Sequence, residues 1–407
     1  MGKLMRLWIP PLPMVLAQFA FGLSWVVLFI VARSGDLHGL AFFGWLHILA
    51  LGAATTVALS VLTHVVPQFT DHNWWNAWIP RIAILMYLAG TWCVIIAIFA
   101  TSLPALQAGA AVVLLALLLF IVGAMPSLTR AIKDGGTVRA IAYALGATLL
   151  FLIAAVVVAN ALPGQLRSGT ALAQVARTHG TFGLIGWLSL LIMGVSTRTL
   201  RPMTGVQKRP IFFHIASGAA VLAGVILAAL ATAFAAYPIA FAGYVLIFVG
   251  ALIYAMDVAA TILQATVPNR TPQLFMLAAA CFFVVMSALI LSAFFDPRAE
   301  HAALFTGIIG WIGGAITGHL HHIGARLLAT CYLGEDDGTR PYAFLNARVG
   351  IATFVAYEVA AVFGIIGFMR LDAQLIAIAA LCGLASFVAI AVQALLAIRR
   401  LKVMQAV

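Results

Sequence analysis

The chain has 407 residues, of which 64% are hydrophobic and only 8% charged. A soluble domain carries about 25% charged residues, so a water-soluble globular fold is excluded. The net charge of +11 would suit a nucleic-acid partner, but the basic residues cluster in loops between apolar runs, which is a membrane topology signal and not a nucleic-acid surface.

The apolar runs reach the length of about 20 residues that a bilayer requires. Twelve spans fit, at roughly 11–33, 40–67, 80–101, 105–125, 139–162, 173–197, 210–235, 239–264, 272–295, 301–328, 344–368 and 373–398. A basic tail, residues 1–10, precedes Pro11 and Pro13 at the start of the first span, which lacks a small-residue cleavage site and is expected to be retained. Span 2 holds His47 and His64, which are 17 residues apart, about 25 Å along an unbroken helix. The loop Asp71-His72-Asn73-Trp74-Trp75 reads as an interfacial belt. Spans 3 to 5 are plain, and Pro163-Gly164 ends the fifth. Span 6 opens with Arg177-Thr178-His179 and is rich in small residues that allow close backbone approach. Span 7 begins at His214, and span 8 carries Asp257. Span 10 starts at His301 and reaches His319, His321 and His322. His301 and His319 are 18 residues apart, which is five turns of an unbroken α-helix and puts them on one face. The acidic run Glu335-Asp336-Asp337-Gly338 follows, and span 11 carries Glu358.

With the N-terminus inside, only five of the 22 Lys and Arg, namely Arg33, Arg167, Arg177, Arg298 and Arg370, fall on the outer side. The positive-inside rule then places both termini in the cytoplasm and requires an even number of spans, in a multi-pass protein of the cell inner membrane. Cys93, Cys281, Cys331 and Cys382 form no CxxC and no c-type haem attachment motif, and read as small core residues.

A Gly-Trp frame recurs at Gly44-Trp45, Gly186-Trp187 and Gly310-Trp311, on spans 2, 6 and 10. This predicts an all-α bundle in one membrane domain, with a pseudo-threefold arrangement of three four-helix units near 1–130, 131–270 and 271–407. The register is open: either Gly44 or Gly52 aligns with Gly186 and Gly310. The second choice brings Pro67 within one residue of Pro202 and puts His64 level with His322.

An imidazole inside a span is costly unless paired or bound, and neutral histidine ligates haem and copper. His47, His179 and His301 form an outer set; His64, His214, His319, His321 and His322 form an inner one. His38 and His72 read as loop residues. Asp257 and Glu358 are the carboxylates placed inside spans, as proton carriers or structural hydrogen bonders.

His47-x4-Gly52 ending at Pro67, His179 with Gly186-Trp187, and Gly318-His319-Leu320 resemble the catalytic subunit of haem–copper oxidases and nitric oxide reductases, and the related small NnrS-like haem proteins. The resemblance implies three four-helix arcs and a haem b held by His47 and His301. It implies copper at His179, with His214 the one histidine on span 7. The family's outer histidine pair on span 7 and its His-Pro-Glu element on span 6 are missing, whereas the inner set offers a second haem, between His64 and His319 or His322. The expected function is an oxidoreductase-like haem protein that moves electrons across the bilayer or handles nitric oxide or oxygen. A cytochrome or quinone donor and self-association are the implied partners. The alternative is a metal or haem carrier without redox turnover.

Overall fold

The computed structural model describes residues 11–37, 39–160, 172–206, 211–326 and 344–405. The basic tail, His38, Pro163-Gly164, Cys331 and the acidic run Glu335-Asp336-Asp337-Gly338 lie outside the described residues.

Twelve helices are long and apolar enough to cross a membrane. They are α1 (Pro13–Ser34), α2 (Leu40–Thr70), α3 (Trp78–Phe99), α4 (Leu103–Asp134), α5 (Ala142–Ala159), α6 (Ala173–Thr204), α7 (Phe212–Ala233), α8 (Tyr237–Leu263), α9 (Thr271–Ser292), α10 (Arg298–Gly324), α11 (Ala347–Arg370) and α12 (Ala373–Met404). No strand occurs among the described residues. A lipid-facing chain must satisfy its backbone within each segment, and helices do this. Their ends follow local chemistry. Prolines open α4, α8 and α9, where the N–H they lack would have had no partner. The Asn346 side chain accepts from the Arg348 and Val349 amides at the start of α11. α2 and α6 each end in a left-handed residue, Asp71 and Gly205, shortly after Pro67 and Pro202.

Burial separates three helices from the rest. In the apolar 18-residue stretch of α2, α6 and α10, 67%, 61% and 78% is buried, against 50% or less in the corresponding stretch of the other nine spans. These three run in the same direction through the middle, and Trp45, Trp187 and Trp311 on them are fully buried. Around them, α3 pairs with α4, α7 with α8 and α11 with α12 as tight hairpins, and the periphery closes where α12 packs on α1. Two hairpins depend on glycine. A Cβ at Gly90 of α3 would lie 2.8 Å from the Val113 amide of α4, and one at Gly224 of α7 would lie 2.7 Å from the Gly243 carbonyl oxygen of α8.

Each central helix is interrupted by a π-helical segment: Ile48–Thr55 in α2, Thr181–Ser189 in α6 and Thr306–Gly313 in α10. The three segments touch one another pairwise. A second π stretch, Leu320–Gly324, ends α10. A π turn takes up about one extra residue, so it rotates everything beyond it. The shared face expected for His301 and His319 assumed an unbroken α-helix and does not hold, because Thr306–Gly313 lies between them. Aligned at their last residues, the three π segments superpose Gly52, Gly186 and Gly310. Of the two registers open in the sequence, this is the second.

Candidate functional site

α2, α6 and α10 all start at one end of the bundle, here the near end. His47 is the last residue before the π segment of α2, and His179 lies two residues before that of α6. Their rings are nearly parallel, 7° apart, with centroids separated by 6.1 Å. His47 Nδ1 is 2.7 Å from the Phe43 carbonyl and His179 Nδ1 is 2.9 Å from the Ala155 carbonyl of α5. A carbonyl only accepts, so each Nδ1 carries the proton and each Nε2 keeps its lone pair. Both side chains are half-buried. The separation leaves the two rings near enough for both to hold one metal-bearing group.

His301 lies at the start of α10. Its ring packs on Phe42 at 5.0 Å and Phe43 at 6.5 Å, and the partner ring of His47 is that of His179. Phe43 thus lies between the two sites, its carbonyl holding His47 and its ring facing His301. Outside this group, Arg177 makes a bidentate bond to Glu300, 3.2 and 3.1 Å, and ties the starts of α6 and α10. Glu300 is therefore a further carboxylate within a span, in the first turn of α10.

His64, His319, His321 and His322 lie toward the far end, and His214 opens α7 there. His319 Nδ1 donates to the Ala315 carbonyl at 2.8 Å, and its Nε2 is 2.9 Å from the Thr199 hydroxyl of α6. His321 Nδ1 donates to the Thr317 carbonyl at 2.9 Å, and its ring stacks on Phe275 at 5.6 Å. His321 Nε2 is buried with no hydrogen-bond partner among the described residues. In the sequence His321 was one of the inner set, near the inner surface, and nothing there marked this atom. His322 is buried in the same π stretch and His64 is half-buried. His214 spends both ring nitrogens on protein: Nδ1 is 3.1 Å from Asp257 Oδ2 and Nε2 donates to the Met193 carbonyl of α6 at 2.7 Å. Neither is left for a metal in this arrangement. Tyr254 packs edge-on against His214 and donates to Ser196 Oγ at 2.9 Å. His72 bonds to Asp134 at 2.6 Å in the loop region beyond α2. Among the described residues, no group of three or more His, Cys, Asp or Glu converges as a metal cage.

No protein-family model matches the chain, and no curated protein matches it.

Proposed function

We propose that this chain is an integral membrane redox protein that binds haem b, and that His47 and His179 are the residues that would hold it. The observation that carries this reading is the parallel ring pair at 6.1 Å, with both Nε2 lone pairs left available by carbonyl bonds at Nδ1. Such outer bonds fix the tautomer of a ligating histidine and raise its basicity. A haem brings four nitrogen ligands of its own and asks the protein for two. A bare zinc or copper asks for three or four, which the described residues do not assemble. The haem would supply one-electron chemistry, and the protein sets its position and exposure. The resemblance to haem–copper oxidases and NnrS-like proteins favours three four-helix units around α2, α6 and α10, and nitric oxide, oxygen or transmembrane electron flow as the task. At the far end, His319 already engages Thr199, and His214 engages Asp257 and Met193. That favours one haem over two and argues against copper at His214.

The test is a pyridine haemochrome assay with a reduced-minus-oxidised spectrum on purified protein. Wild type should carry one low-spin haem b. His47→Ala and His179→Ala should each lose the low-spin signature, while His301→Ala keeps it. Protein without haem, or a spectrum untouched by both substitutions, would overturn the reading. Exchangeable metal in place of haem would turn the assignment to a carrier.

A further inference from the structure

The π segments meet at three junctions, and two are built alike. Trp311 Nε1 of α10 donates to Ser189 Oγ of α6 at 2.8 Å, and Trp187 Nε1 of α6 donates to Thr55 Oγ1 of α2 at 3.1 Å. Each indole stands two residues before the end of its segment, and each hydroxyl is the last residue of the next. Continuing the cycle, the third junction should carry an indole on α2 and a hydroxyl on α10. Those places hold Ala53 and Gly313. Tyr357 of α11 reaches toward Gly313 and donates to the Ile309 carbonyl at 2.6 Å, and this refills only part of the space. A partly open, mostly apolar pocket remains, with room of about 40 Å³ for water-sized groups, lined by Ala53, Ala54 and Gly313 and by Gln18 of α1 and Thr317 of α10.

The lining decides what the cavity can hold. The Thr317 hydroxyl already donates to the Gly313 carbonyl at 2.7 Å, so Gln18 is the one side chain there with an uncommitted polar group. A buried water needs two to four polar partners, whereas dry apolar cavities take up xenon or small hydrocarbons. Benzene occupies engineered cavities of about 150 Å³, so this space suits something much smaller. We infer that the junction of α2 and α10 is a binding site for one small uncharged apolar molecule of the size of a diatomic gas. The site exists because the repeat drops its indole and its hydroxyl at that junction. It stands independently of whether His47 and His179 hold a haem.

The test uses the full chain, purified, with xenon as the probe, read by ¹²⁹Xe chemical-shift titration and by diffraction from pressurised crystals. Wild type should show one xenon between α2 and α10. Ala53→Val fills the space and should weaken xenon binding at least tenfold while haem content stays that of wild type. If Ala53→Val fails to fold, Ala54→Val fills the same cavity and gives the same reading. Absence of xenon from the wild-type cavity, an ordered water bonded to Gln18 in its place, or equal xenon binding by a folded cavity-filling variant would each overturn the proposal.

Discussion

The two indole–hydroxyl bonds should act as latches between the central helices, and a double-mutant cycle can measure one. Trp311 is fully buried, stacked on Phe283 at 4.7 Å and edge-on to Tyr254 at 5.6 Å. Ser189→Ala leaves its indole N–H buried without an acceptor, at a cost of about 1–3 kcal/mol. Trp311→Phe removes the donor and vacates part of the ring volume, while Ser189 keeps its own bond to the Leu184 carbonyl at 2.8 Å. The two single values mix different losses, so the informative quantity is the coupling in the double variant. Interhelical hydrogen bonds in membranes couple by about 0.6 kcal/mol on average and about 1.7 at most. Burial and direct geometry put this pair in the upper half of that range, at about 1 kcal/mol. The companion cycle, Trp187→Phe with the isosteric Thr55→Val, should give a similar value. Reversible unfolding in bicelles would supply both numbers. Coupling within about 0.3 kcal/mol of zero in both cycles, the ordinary additivity limit, would refute the idea that these bonds hold the π segments together.

Glycine substitutions within α7 should split by position. Gly224→Ala pushes a methyl to 2.7 Å from the Gly243 carbonyl and 2.9 Å from the Ile247 amide, and should destabilise by about 1–3 kcal/mol. Gly218→Ala, with nothing within 4 Å of the new carbon, should stabilise by up to about 1 kcal/mol. Thermal unfolding of the two variants gives opposite signs if the α7/α8 contact is as close as described. His214→Leu removes one partner of a buried pair whose side chains are 5% and 6% exposed, and should cost about 3–5 kcal/mol. Asp257→Asn, which still offers His214 an acceptor, should cost clearly less in the same unfolding assay. The Arg177–Glu300 pair is more than a third exposed on both sides, so Glu300→Gln should cost less than about 1 kcal/mol and the difference should vanish in high salt.

The twelve spans were readable because the bilayer imposes a length and a composition that no local detail can hide. The likeness of spans 2, 6 and 10 was readable from the Gly-Trp frame and its spacing, whereas their central place shows only in their burial. The π segments were not. Ile48–Thr55 is as apolar as the α-helix on either side of it, so neither hydropathy nor propensity distinguishes the two hydrogen-bond ladders. What they changed was phase. Positions beyond each π segment are rotated from their place on an ideal wheel, so the face shared by His301 and His319 was an artefact of assuming an unbroken helix. The ring pair of His47 and His179 could not be read from spacing, because it joins helices 132 residues apart along the chain. The resemblance pointed at His47 for a reason of family pattern, and it named His301 as the partner for the same reason. The His301 ring packs on Phe42 and Phe43, contacts that spacing along the chain does not reveal. Pro67 and Pro202 were the useful clue to register, since each lies shortly before a left-handed helix end.

Asp257 and Glu358 show how the same sequence signal splits once packing is known. Both read as carboxylates inside a span. Asp257 turns inward and meets His214. Glu358, near the middle of α11, falls on the stripe Ile351, Val355, Val362 and Ile366, whose other members are 39–53% exposed. It has Cys281, an exposed residue of α9, as a neighbour. A carboxylate of this kind at the bilayer centre costs about 2.5–3.5 kcal/mol on insertion scales, whereas leucine gains about 0.3–0.6. If the stripe faces lipid, Glu358→Leu should stabilise the chain by up to about 3 kcal/mol, and Asp257→Leu should unfold it by stranding His214. Matched unfolding of the two variants in the same bicelles decides this. A Glu358→Leu variant less stable than wild type would mean that the carboxyl supports the fold and that its stripe is not simply a lipid surface. A stabilised variant that loses activity would instead mark Glu358 as a group kept for function at the expense of stability.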